Sequence, residues 1–110
     1  MSSDRDRLDD ALGHLEKLRE YASDYDLGDE VVFDAACMRL SAAIDSLRSL
    51  PESARTAASG TRGWAQIWSV RNRIAHGYVF LDQQIILDTI ANDLGEFEDA
   101  IRRMRDDAAR

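Results

Sequence analysis

The sequence predicts an all-α protein, an up-and-down bundle of four main helices in a single domain that spans residues 1–110. Apolar residues recur every three or four positions through most of the chain, which is the period of an amphipathic helix. No segment alternates apolar and polar residues for long, so the pattern does not favour strands. The chain has one Pro and six Gly, which leaves little of it for loops. A domain this short buries limited surface, and we therefore expect a dimer.

The first two predicted helices fill the N-terminal half of the chain. The first has an apolar stripe over residues 8–25, and the second has one over residues 32–50. Residues that start or stop helices bound both of them: Ser3 or Asp4 and then Leu27-Gly28 for the first, Asp29 and then Pro51 for the second.

Two further helices are predicted after a loop. Residues 51–62 are polar and small, and we expect them to form this long loop. Caps and breakers set the limits of the helices that follow: from near Trp64 to His76 with Gly77 as the stop for the third, and Asp82 as the N-cap of a fourth with an apolar stripe from Ile86 to Met104. Residues 106–110 are expected to fray.

Acidic residues are absent from residues 53–81, although the whole chain carries a net charge of −7. This segment contains four Arg and so carries +4, which leaves −11 on the rest of the chain. A protein this acidic has no general electrostatic attraction for nucleic acid. The local cluster of Arg does attract phosphate, and it contains His76, the only plausible catalytic His.

The most informative segment is residues 71–78, RNRIAHGY, which has the form R-x4-H-x-Y. Cleavage of RNA without a metal requires a proton to leave the ribose 2′-OH, a proton to reach the leaving 5′-oxygen, and stabilisation of the phosphorane charge. His76 can transfer protons near neutral pH, because an imidazole titrates near ~6.5. Arg71 stays charged and can bind phosphate oxygens through two N–H groups.

Helix geometry makes this site incomplete in one copy of the chain. Arg71 and His76 lie roughly 140° apart on a straight helix, so they do not share a face. Asn72 and His76 do share one, and Asn72 is therefore expected either to orient the imidazole or to bind phosphate. Two copies related by a two-fold axis can place two Arg and two His around one cleft.

Residues 64–94, WAQIWSVRNRIAHGYVFLDQQIILDTIANDL, resemble the HepT-like branch of the HEPN superfamily. The resemblance includes the upstream Trp, the R-N-x-x-x-H-G-Y pattern, the Leu81-Asp82 pair and the closing amphipathic helix. It implies a toxin of a type II or type VII-like toxin–antitoxin system. It further implies a metal-independent endoribonuclease with Arg71 and His76 as catalytic residues at a dimer interface. The expected RNA products end in 2′,3′-cyclic phosphate and 5′-OH.

The same resemblance implies a partner protein. In HepT-like proteins the Tyr of the motif is modified with AMP by an MNT-type nucleotidyltransferase antitoxin, which assigns that role to Tyr78. An exposed phenol beside the site is an accessible nucleophile, and an attached anion would occupy the place of the RNA phosphate.

Structural roles compete with each of these assignments. Arg71 alone suits an ion pair with one of the many acids elsewhere, and His76 suits the C-cap of a helix. Tyr78 suits packing at a helix junction. Arg73 is interpreted as a solvated helix residue that adds positive field toward substrate. The alternative function is a non-catalytic helical module that binds RNA or nucleotide and acts as the companion subunit of a nucleotidyltransferase.

Other residues receive briefer interpretations. Trp64 and Trp68 are predicted to pack in the core or at the dimer interface, with base stacking as the less favoured role. Asp45 or another acid of the second helix is a candidate to assist the site. Cys37 is interpreted as small buried filler. The run at residues 102–105 complements a helix dipole or extends an RNA path.

Composition also bears on location and cofactors. A single Cys cannot form an intramolecular disulfide, which favours a reducing cytoplasm. The start of the chain, MSSDRDRLDD, is acidic and unlike a secretory signal. No apolar run approaches the roughly 20 residues that span a bilayer. No His or Cys spacing suggests zinc, and no Gly-rich phosphate loop is present, so we expect neither a metal nor a cofactor.

Overall fold

The computed structural model of the protein describes residues 3–60, 62–76 and 82–108. These residues form six α-helices and no strand, which confirms the all-α prediction. The helices, in chain order, are α1 (Asp4–Asp24), α2 (Glu30–Leu47), α3 (Glu52–Ser59), α4 (Trp64–Ala75), α5 (Gln83–Asn92) and α6 (Leu94–Ala108). None of the helices in these ranges is long and apolar enough to cross a bilayer.

Local capping chemistry sets the starts of α1 and α2. Ser3 caps α1 through a capping box: its hydroxyl accepts from the backbone N–H of Asp6 at 3.1 Å, and its own N–H donates to the Asp6 carboxylate at 3.2 Å. Asp29 caps α2, and its carboxylate accepts from the N–H groups of Val31 and Val32. Ser3 is thus the cap of the two that were considered, and the prediction of Asp29 is confirmed.

The prediction of a long loop at residues 51–62 is wrong, because residues Glu52–Ser59 form α3. One face of this short helix, at Ala58 and Ser59, is buried, and α3 packs against both α4 and α6. Packing against two other helices therefore stabilises a short helix that consists mostly of small residues. Gly60 ends it with a φ of 59°, in the region that favours glycine.

The prediction of one continuous fourth helix is also wrong, because the chain breaks at Asp93 between α5 and α6. Asp93 has a φ of −114°, and its carboxylate pairs with the guanidinium of Arg62. Buried apolar residues continue on both sides of the break, so the spacing of the stripe does not reveal it. The predicted N-cap of α5 is confirmed, since Asp82 accepts from the N–H of Gln84 at 2.9 Å.

The core lies where α1 packs against α2 and α6, and α2 also packs against α4. α3 packs against both α4 and α6, and α5 packs against α6. Seven large side chains are fully buried in this core: Leu8, Leu15, Leu18, Ile44, Leu47, Ile86 and Ile101. The four main helices of the prediction therefore become six, arranged so that α4 rests on α2 and α3.

Glu98 and Cys37 are two of the polar groups that are buried in this framework. Glu98 of α6 is 3% exposed, and its carboxylate pairs with Arg19 of α1 and Arg102 of α6. A buried carboxylate requires such partners, so this cluster ties α6 to α1. Cys37 is buried in the core, as predicted. Burial, with a smaller contribution from Asp34, raises the pKa of its thiol from 9.0 to about 11. The thiol is therefore unreactive at neutral pH.

Candidate functional site

Arg71 lies on the face of α4 that meets α2, and most of its fork is engaged. Its Nε donates to Oδ1 of Asp45 at 3.1 Å, and its Nη2 donates to Oδ2 of the same carboxylate at 3.3 Å. Its Nη1 donates to the side-chain oxygen of Asn72 at 3.3 Å. A guanidinium has more N–H donors than these three bonds use, so Arg71 can still donate to a further oxygen.

Two stacked tryptophans, Trp68 and Trp64, lie beside this arginine. The ring of Trp68 lies 4.8 Å from the Arg71 guanidinium carbon, and it stacks on Trp64 at a centroid distance of 5.8 Å and an angle of 24°. Arg48, at the end of α2, lies 5.5 Å from the same Trp68 ring, and Arg55 of α3 lies 5.8 Å from Trp64. Each contact has the geometry of a cation–π interaction, which holds the guanidinium over the ring.

The spacing of α4 explains why these groups meet. Trp64, Trp68 and Arg71 are separated by four and three residues, so they share one face of the helix. Both tryptophans are partly buried and pack against the hydrophobic core. The prediction of core packing for this pair is confirmed. The alternative place at a dimer interface stays a prediction.

Arg55 has a structural role, because its guanidinium binds backbone carbonyls at and just after the end of α2. Its Nη1 donates to the carbonyl of Arg48, the C-cap of α2, at 3.1 Å and to the carbonyl of Leu50 at 3.2 Å. Its guanidinium also covers Trp64. One of the four arginines of the acid-free segment is therefore structural.

His76 lies at the C-terminal end of α4, where it is the C-cap with an α-helical φ of −79°. Its backbone N–H donates to the carbonyl of Asn72 at 3.0 Å. The residue is exposed, so its imidazole is accessible to a ligand. The C-cap role and a chemical role for the imidazole are compatible, because the cap uses only the backbone.

The structure brings only some of the predicted site residues together. Arg71 and Asn72 are in direct contact, with the Asn72 oxygen bound to the guanidinium. Arg73 is exposed on α4, which agrees with its interpretation as a solvated residue. Tyr78 lies outside the described residues, and so does Gly77 as the predicted stop of α4.

Sequence reasoning named Asp45 as one acid of the second helix that might assist the site, without placing it, and it missed Arg48. Asp45 pairs with Arg71 across 26 residues of sequence, and the register between α2 and α4 decides which acid of α2 does so. Arg48 precedes the acid-free segment, so the charge pattern gave no reason to include it. Its spacing of three from Asp45 places both on one face of α2, which is the signal that was available.

The face of α2 that carries Asp45 also carries two exposed apolar residues, with the exposed Asp34 between them. Val31 and Met38 precede Asp45 at intervals of seven residues, which keeps all three on one side of the helix. Asp45 meets Arg71 and Arg48 meets Trp68, so α4 runs antiparallel to α2 and its last residue, Ala75, comes level with about Ser41. Beyond that level Val31 is 76% exposed and Met38 is 71% exposed.

A comparison with models of protein families shows which family this chain belongs to. The model of the family described as Ribonuclease HepT-like matches residues 8–104, which is most of the chain. The chain belongs to the HepT-like ribonuclease family. This family is part of the HEPN superfamily. The membership of this chain in the family suggests a toxin-type ribonuclease with RNA as substrate. Comparisons with curated proteins and with solved structures find no match.

Within the described ranges, no group of three or more His, Cys, Asp or Glu side chains lies close enough together to hold a metal ion. Independence of the reaction from metal stays a prediction for this HepT-like chain.

Proposed function

We propose that this HepT-like protein is the toxin of a type II or type VII-like toxin–antitoxin pair and acts as a metal-independent endoribonuclease. The observation that carries the proposal is the family match over residues 8–104, in which α4 presents the R-x4-H residues Arg71 and His76. Arg71 is held by Asp45 and Trp68, so its position is fixed before substrate arrives.

The proposed reaction is an internal transfer within RNA. The ribose 2′-oxygen attacks the neighbouring phosphorus while its proton passes to an imidazole. The bond from phosphorus to the 5′-oxygen breaks, and that oxygen takes a proton as it leaves. The remaining N–H groups of Arg71 stabilise the charge on the phosphoryl oxygens. The products end in 2′,3′-cyclic phosphate and 5′-OH, and the atoms balance without a cofactor.

A homodimer completes the site in this proposal. Two copies supply two imidazoles, one to accept the proton and the other to donate it. The exposed side chains of Val31 and Met38 support the proposal, because they lie just beyond the level at which α4 ends. A second copy docked there would lie beside the His76 end of α4.

Met38→Glu is expected to separate this dimer. A charge buried at the interface without a partner costs roughly 3 kcal/mol, which weakens association by more than about 100-fold. Sedimentation should show a dimer for the wild type and a monomer for the variant at micromolar concentration, with loss of RNA cleavage. The matched control is Ile85→Glu on α5, where the side chain is 42% exposed. A wild-type protein that is monomeric and still cleaves RNA would contradict the proposal that two copies complete the site.

We also propose that an MNT-type nucleotidyltransferase antitoxin inhibits the toxin by adding AMP to Tyr78. The attached phosphate would place negative charge beside His76 and so repel the RNA phosphate.

The Tyr78→Phe protein is expected to keep its cleavage activity and to escape this inhibition, because a phenyl ring has no hydroxyl to modify. Peptide mass spectrometry after co-expression with the partner should find added AMP on the Tyr78 peptide of the wild type only. If that peptide stays unmodified while the partner still neutralises the toxin, inhibition works by steric binding instead.

One observation favours a second candidate, the non-catalytic companion subunit of a nucleotidyltransferase. The bidentate bond from Arg71 to Asp45 is what a purely structural arginine would form. The two functions separate in cells: an active toxin arrests growth when induced alone, and a companion subunit does not. Equal growth of cells that express the wild type and His76→Ala would favour the second candidate.

A further inference from the structure

Arg48 lies outside the R-x4-H motif, yet its guanidinium shares the Trp68 ring with that of Arg71. The distances from the two guanidinium carbons to the ring centroid are 5.5 Å for Arg48 and 4.8 Å for Arg71. The Trp68 ring therefore has two cations close to it, one from α4 and one from the C-terminal end of α2. The Coulomb repulsion between these two like charges is reduced when an anion lies close to both of them.

The two cations differ in what they already bind. Arg71 is paired with the Asp45 carboxylate, which offsets its charge. For Arg48, no carboxylate of the described residues lies within ion-pair distance, and the residue is exposed. Arg48 therefore carries a positive charge beside the motif that no carboxylate of the described residues pairs with. Its N–H donors remain available apart from its contact with the ring.

We infer that Arg48 is a second phosphate-binding residue, which contacts the RNA backbone at a phosphate next to the one that Arg71 binds. The inference rests on the proposed ribonuclease function and extends its substrate site onto the end of α2. The ring of Trp68 limits where the Arg48 side chain can go, so less conformational entropy is lost when it binds a phosphate.

A structural role for Arg48 predicts different behaviour. A cation at the C-terminus of α2 is favoured by the helix dipole, and Arg48 is the C-cap of that helix. In that case its replacement would lower the melting temperature and leave the salt dependence of RNA binding unchanged. A phosphate contact instead changes the number of counterions released on binding, which salt dependence measures directly.

The test measures binding of a labelled single-stranded RNA oligonucleotide of mixed sequence to the His76→Ala protein at a series of salt concentrations. Adding Arg48→Gln should reduce the slope of log K against log salt by about 0.7, the value for one phosphate contact on a single strand. Arg48→Lys keeps the charge and should retain the slope. The matched control is Arg5→Gln, at an exposed arginine on α1.

The outcomes separate this inference from the function on which it rests. An unchanged slope for Arg48→Gln, or an equal loss for Arg5→Gln, overturns the assignment of Arg48 while RNA binding and cleavage by the wild type stand. Absence of RNA binding together with absence of wild-type cleavage overturns the proposed function and the assignment with it. Melting temperatures of all four proteins report whether any loss comes from unfolding.

Discussion

The His76→Ala protein is expected to lose RNA cleavage by a factor of about 10²–10⁴, the usual contribution of a general acid–base residue. The fold should persist, because His76 is exposed and caps α4 through its backbone N–H, which alanine retains. Cleavage rate with purified protein and RNA is the measurement, with circular dichroism as the control for folding. Cleavage at the wild-type rate would remove His76 from the mechanism.

Arg71→Lys is expected to lower cleavage by about 10²–10³, the effect of removing one preorganised charge-stabilising donor. Lysine keeps the charge and loses the planar fork, so it cannot bind Asp45 through two nitrogens and still donate to a phosphate. The ion pair itself contributes about 1 kcal/mol or less to stability, since 23% of the Arg71 side chain and 40% of the Asp45 side chain are exposed. The variant should therefore stay folded.

Asp45→Asn is the companion variant that separates the chemical role of Arg71 from a structural one. It leaves the charge of Arg71 in place and frees N–H donors that the carboxylate now holds. We expect a smaller loss of cleavage than for Arg71→Lys. If the two variants lose cleavage equally and in proportion to their melting temperatures, Arg71 serves only to hold α4 on α2.

Local chemistry made parts of this fold predictable from the sequence. Asp29 and Asp82 cap α2 and α5 through N–H groups two or three residues away, so their role depends on no distant contact. The third predicted helix was also right in position, since α4 covers residues Trp64–Ala75. The apolar period and the breakers around it were sufficient evidence.

Tertiary contacts explain what the sequence did not reveal. α3 forms because Ala58 and Ser59 are buried against other helices. A run of small residues in the sequence does not predict that burial. The break at Asp93 leaves the apolar stripe in step on both sides. The contacts of Arg71 with Asp45 and of Trp68 with Arg48 depend on how α2 and α4 lie against each other.

The chemistry of the product ends tests the central claim most directly. Purified wild-type protein is incubated with RNA in EDTA, and the fragments are analysed by mass spectrometry beside those from the His76→Ala protein. The proposed mechanism predicts fragments that carry 2′,3′-cyclic phosphate and 5′-OH with the wild type, and far fewer of them with the variant. Cleavage that EDTA abolishes reversibly, or fragments with 5′-phosphate ends, would contradict it.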